Sequence, residues 1–100
     1  MTTIFVTYPA DPDATFDRAY YTSHHIPLVN RAWGPLGLIS ATAFFPSPVP
    51  NGNYAICACV FKAESAFQAA LASTDTPAVR DDVKNFTAII HVILRGGAPR

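Results

Sequence analysis

Phe16-Asp17-Arg18-Ala19-Tyr20-Tyr21-Thr22-Ser23-His24-His25-Ile26-Pro27-Leu28-Val29 is the stretch on which the fold turns. It follows the cluster Pro9-Ala10-Asp11-Pro12-Asp13, which ends a strand-like run from Ile4 to Tyr8 and supplies helix-start residues. The spacing predicts a helix from about Ala14 to His24, with Phe16, Ala19, Tyr20 and Ser23 on its apolar face. Pro27 has no N–H and crowds the carbonyl of Ser23, so the helix is expected to end or kink near His24, with a short turn over Leu28 to Trp33. The same stretch gathers two phenols and two imidazoles. Tyr20 and His24, like Tyr21 and His25, stand four residues apart, within side-chain reach on a helix.

Outward from this helix the chain alternates in a readable way. Gly34-Pro35-Leu36-Gly37 is a break, and Leu38 to Phe45 reads as a second strand. Pro46 to Asn53, with its prolines and Asn51-Gly52, reads as an exposed loop to a third strand over Tyr54 to Phe61. Ser65-Ala66-Phe67-Gln68 has capping-box spacing and opens a helix to about Ala72. Thr76-Pro77 starts another whose Val79, Val83 and Phe86 share a face, and Thr87 to Leu94 reads as a fourth strand. The order β-α-β-β-α-β is the ferredoxin-like one, an α+β fold with an antiparallel sheet.

Strand parity divides the sheet into two sets. Ile4, Val6, Ile39, Ala41, Ala43, Ile56, Ala58, Val60, Ile90, Val92 and Leu94 form a wholly apolar set suited to packing under helices. Thr3, Phe5, Thr7, Ser40, Thr42, Phe44, Cys57, Cys59, Phe61, Thr87, Ile89 and His91 form a mixed set, suited to meeting a second sheet across a shared interior. A homodimer whose sheets face each other, a dimeric α+β barrel, is the expectation.

Composition supports it. One hundred residues, half of them apolar, make a single domain over 1–100. Seven basic and seven acidic residues cancel, and no basic run is present to track a phosphate backbone, so nucleic acid is not expected as a partner. A charged fraction of only 14% leaves apolar surface for an interface. Met1-Thr2-Thr3 leads directly into the first strand, with neither a signal peptide nor a membrane span in the sequence, and a cytoplasmic protein is expected. Cys57 and Cys59 point the same way along one strand and read as free, buried thiols.

The chain also resembles a known family. The pattern F-x-x-x-Y-Y-x-x-x-H-x-P-L, here Phe16, Tyr20, Tyr21, His25, Pro27 and Leu28, is similar to the first helix of EthD-like proteins. Asp82 and Phe86 before the last strand, Trp33-Gly34-Pro35 and Gly37-Leu38 fit the same pattern, so the resemblance spans nearly the whole chain. It implies a small dimeric α+β barrel of a degradative or oxidative pathway, and it singles out His25.

Histidine titrates near neutrality, so His25 is the candidate acid/base, with Tyr21 as its orienter or oxyanion donor. The competing reading makes His25 a cap of the last helix carbonyls. Tyr20, Trp33 and His91 are candidate ligand-binding residues. Each also has a structural reading: core packing for Tyr20 and Trp33, a satisfied interior histidine for His91. His24 reads as solvated or resting on Tyr20. A two-histidine, one-carboxylate iron site through Asp81 or Asp82 is conceivable but not favoured, so no metal is assigned. With no glycine-rich phosphate loop, dinucleotide fingerprint or nucleophile elbow, no cofactor is expected.

Two function classes follow. One is a cofactor-independent oxidoreductase, cyclase or isomerase acting on a small apolar or aromatic compound. The other is a non-catalytic metabolite-binding or accessory protein serving an oxygenase system.

Overall fold

The computed structural model describes residues 1–47, 49 and 51–96. Pro48 and Pro50 of the expected interstrand loop lie outside the described residues. Four strands, β1 (Thr2–Pro9), β2 (Leu38–Phe44), β3 (Asn53–Phe61) and β4 (Val92–Gly96), form one antiparallel sheet in the order β2-β3-β1-β4. The helices α1 (Arg18–Tyr20), α2 (Ile26–Trp33), α3 (Glu64–Ala72) and α4 (Thr76–Asp81) lie against it. This is the α+β, ferredoxin-like order expected from the sequence.

The first helix departs from expectation at its start. It starts at Arg18 rather than Ala14, because Phe16 is taken up by a β-bridge to Thr87 and Asp17 serves as the cap, accepting from the Tyr20 N–H at 3.0 Å. Near His24 the regular helix is interrupted rather than ended. Between α1 and α2 the chain winds one wide π turn over Tyr21–His25, in which the Ile26 N–H reaches the Tyr21 carbonyl. Pro27 then falls in the first turn of α2, where the missing donor costs little, and the helix runs on to Trp33. The buried stripe is accordingly Tyr21, His25 and Val29. The predicted face of Phe16, Ala19, Tyr20 and Ser23 is corrected: Ala19 and Ser23 are exposed.

The break before β2 holds as read. Gly37 has φ 118°, the left-handed region, and a Cβ there would stand 2.6 Å from the Cβ of Ala66 on α3. Only glycine lets the strand start so close under that helix. The capping box does not form: α3 is capped at Ala63 without a side-chain bond, which places Ser65 inside the first turn, and Gln68 bonds Glu64 instead.

Strand parity is right for half the sheet. Residues paired across an antiparallel ladder share a face, and Ile4 and Val6 pair with Cys59 and Cys57, which in turn pair with Ala41 and Ala43. Together with Tyr8, Ala55 and Phe61 these make the covered face, so the assignments for β1, Ala41 and Ala43 stand while those for β3 are inverted. Ile56, Ala58 and Val60 share the uncovered face with Thr3, Phe5, Thr7, Ser40, Thr42 and Phe44. Ile39 is also exposed, at a register shift between Leu38 and Ser40.

The last strand is shorter than predicted. Thr87 donates to the Thr15 carbonyl at 2.8 Å and accepts from the Ile89 N–H at 3.1 Å, so local side-chain bonds replace a ladder and β4 begins only at Val92. Val92 and Leu94 face outward beside Thr7 and Phe5. No helix among the described residues is long and apolar enough to cross a membrane.

Candidate active site

The π turn delivers His25 to the interior at 5% exposure, on the wall of a cavity of about 140 Å³. The helix does not stop at His25 and its ring caps no carbonyl. Its Nδ1 lies 2.9 Å from Oδ2 of buried Asp82, which stands at the end of α4 where a 3₁₀ turn (Asp82–Asn85) begins. The other carboxylate oxygen accepts from the Tyr20 hydroxyl at 2.7 Å and from Asn85 Nδ2 at 3.0 Å. Asp82 thus joins the two helical halves of the molecule through one carboxylate.

The charges follow from this geometry. Burial works against ionised Asp82, but the bonds from Tyr20, Asn85 and His25 outweigh it and hold the carboxyl below its usual range. Burial lowers the pKa of His25, opposed by Asp82, so the imidazole is neutral at pH 7. An ionised carboxylate only accepts, so Nδ1 carries the proton and donates it to Asp82. The lone pair is left on Nε2. An imidazole oriented through Nδ1–H by a buried carboxylate, with Nε2 free, is the arrangement of a general base.

The rings around His25 fix its plane. Tyr21 stacks at 5.7 Å between centroids with 17° between planes, and Phe86 packs at 4.7 Å from the other quarter. Tyr21 lines the cavity, and burial above all, with Cys57 and Tyr8 adding, pushes its phenol far above the usual range; it is a neutral hydroxyl. The ring nitrogen that the sequence reading offers to Tyr21 is bonded to Asp82 instead.

The other sequence candidates fall in different places. Trp33 lines the cavity while its Nε1 donates to Thr76 Oγ1 at 2.9 Å. His91 also lines it, 5.9 Å from the Tyr8 ring. That places His91 on the helix-covered side, not on the uncovered sheet face where parity put it. Tyr20 is absent from the lining and reaches the site through Asp82. His24 is exposed, with its ring 4.8 Å from that of Tyr20. Cys57 and Cys59 are free and buried, their sulfurs 3.7 Å apart on the cavity floor. Among the described residues no three His, Cys, Asp or Glu side chains converge as a metal-ligand set. The role of Asp82 is what residue-level reading missed. Its position was marked by the resemblance, but nothing local shows that it meets a histidine 57 positions away.

Comparisons with known structures agree with this architecture. An EthD-like protein from Ralstonia eutropha superposes with a TM-score of 0.83 at 27% identity, covering 95% of this chain and 88% of its own. The chain is similar in structure to EthD-like proteins. An ethyl tert-butyl ether degradation (EthD) family protein from Bacillus halodurans has a TM-score of 0.71 at 18% identity, covering 99% of this chain and all of its own. A cofactor-independent oxygenase from Streptomyces nogalater shares the fold at a TM-score of 0.55 and 15% identity, over 98% of this chain and 95% of its own. No family model and no curated protein matches the sequence. The chain therefore shares its fold with EthD-like and antibiotic-biosynthesis monooxygenase proteins.

Proposed function

We propose that this EthD-like protein is a cofactor-independent enzyme that moves a proton on a small oxygenated apolar or aromatic compound, with Nε2 of His25 as the base. The observation that carries the reading is the buried Asp82–His25 pair, with His25 set on the wall of a mostly apolar cavity. Asp82 fixes the tautomer, Tyr20 and Asn85 hold Asp82, and the Tyr21 ring keeps the imidazole upright. The neutral Tyr21 hydroxyl is the donor for oxygen that gains charge as the proton leaves. That the Streptomyces nogalater protein of this fold is a cofactor-independent oxygenase supports chemistry here without a bound cofactor.

The uncovered sheet face supports a homodimer. Phe44, Val92 and Leu94 are each about half exposed there, beside the threonines of β1 and β2. A pairing that buries more than about 1,000 Å² in total would make the assembly stable.

The test is proton exchange. In D₂O, the protein is incubated with a panel of single-ring ketones and phenols, and deuterium entry at the acidic carbon is followed by NMR. Wild type accelerates exchange for at least one compound and His25→Ala abolishes it. Compounds that bind without any exchange would favour the accessory binding protein.

A further inference from the structure

The cavity is the same size as an engineered one of about 150 Å³ known to hold benzene, so it takes one six-membered ring and little else. Its lining is aromatic and aliphatic apart from a few polar tips. Among the described residues of the lining, Arg80 on α4 is the one side chain that carries charge, since His25 is neutral and burial together with the charge of Arg80 keeps His91 neutral as well. Arg80 is exposed on α4 and forms no ion pair or side-chain hydrogen bond among the described residues. It sits where the cavity meets solvent. His25 and His91 line the same cavity as Arg80.

We infer that the ligand is a single-ring monoanion, of the benzoate or acidic phenol class, whose anionic oxygen sits at the rim against Arg80 while the ring fills the cavity toward His25. This rests on the reading of the cavity as the substrate site and names the substrate class for it. The chemistry runs as follows. An isolated carboxylate placed within the apolar interior is costly, but at the rim it keeps water on one side and takes the guanidinium fork on the other. One cation matches one negative charge. His91, neutral and on the same lining, has an N–H to offer an anionic oxygen. A cationic ligand meets only Arg80 and finds no carboxylate on the lining, because Asp82 is turned away into its bonds with Tyr20, Asn85 and His25.

Titration of the full chain with benzoate, benzamide and benzylamine, followed by calorimetry and by the His25 and His91 ring signals, tests this. Benzoate is expected to bind about tenfold tighter than its neutral isostere benzamide, with benzylamine weakest. Arg80→Gln lowers benzoate to the benzamide level and leaves benzamide unchanged, while Arg80→Lys retains part of the preference. Since Arg80 is exposed, both variants keep the wild-type melting temperature. Equal binding of benzoate and benzamide to wild type, or an undiminished preference in Arg80→Gln, overturns the inference and leaves the proton-transfer reading standing. Failure of all three rings to bind at millimolar concentration overturns both.

Discussion

The helix-covered face of the sheet buries Tyr8, Cys57, Cys59 and Phe61 almost completely, whereas the uncovered face leaves Phe44, Val92 and Leu94 about half exposed. Both faces are apolar, yet they are apolar for different reasons. On the covered face the side chains interlock with α2 and α3 and leave a cavity beside His25. On the other, small threonines and alanines stand between larger groups, and no helix among the described residues covers them. Hydrophobicity alone cannot separate a core from an interface. What separates them is which strands share register with residues pinned under the helices.

The largest effect is expected from a charge placed on the uncovered face. Thr42→Arg, set between Ala58 and its neighbours, is expected to turn a micromolar dimer into a monomer or an aggregate by light scattering, whereas the same change at exposed Asn51 leaves the dimer intact. A wild-type monomer at that concentration would remove the interface altogether. Truncations distinguish the two faces further. Phe61→Ala on the covered face should cost about 3–5 kcal/mol in denaturant unfolding at any protein concentration. Phe44→Ala should show a loss that shrinks as the protein is diluted below the dissociation constant, since its ring then has no partner to lose.

How much of this was legible in the sequence can be judged residue by residue. Order and type of the elements came through because glycine and proline clusters mark the breaks and apolar periodicity fills the gaps between them. The inversion in β3 has a plain cause. Ile56, Ala58 and Val60 and their alternates Cys57, Cys59 and Phe61 are equally apolar, so alternation gave no phase, and only pairing with Ile4 and Val6 decides it. His91 moved to the covered side with the same inversion, because its phase follows that of Ile93, paired with Val6. The interruption expected near His24 is present, but as a π turn over Tyr21–His25 after which the chain stays helical to Trp33, a form that no sequence rule announces. His25 could be singled out, by resemblance and by chemistry. Asp82 as its partner could not, because that contact is made only once α4 folds back onto the first helix.

A smaller effect is expected with pH. Folding lowers the pKa of both His25 and His91, so below about 6.5 the unfolded chain binds protons that the folded chain resists. Stability is therefore full above that pH and declines as pH falls toward the folded values. Melting temperatures measured from pH 8 down to pH 5 should fall, and His91→Phe should flatten the decline. A rise in melting temperature on acidification would mean that the histidines gain partners on folding instead. Smallest of all is the response of the thiols: Cys57 and Cys59 should stay unlabelled by a thiol reagent in the native protein and react fully on denaturation. Rapid native labelling would show the covered face to be open.

In the proposed function Asp82 fixes the tautomer of His25 and leaves Nε2 as the base. Nitrogen-15 NMR of the histidine rings across a pH titration tests it most directly, with Asp82→Asn alongside. The account predicts a neutral, Nδ1-protonated His25 that titrates below the ordinary histidine value of about 6.5, and loss of that tautomer preference in Asp82→Asn. An Nε2-protonated ring, or one that titrates at or above the ordinary value, would contradict it.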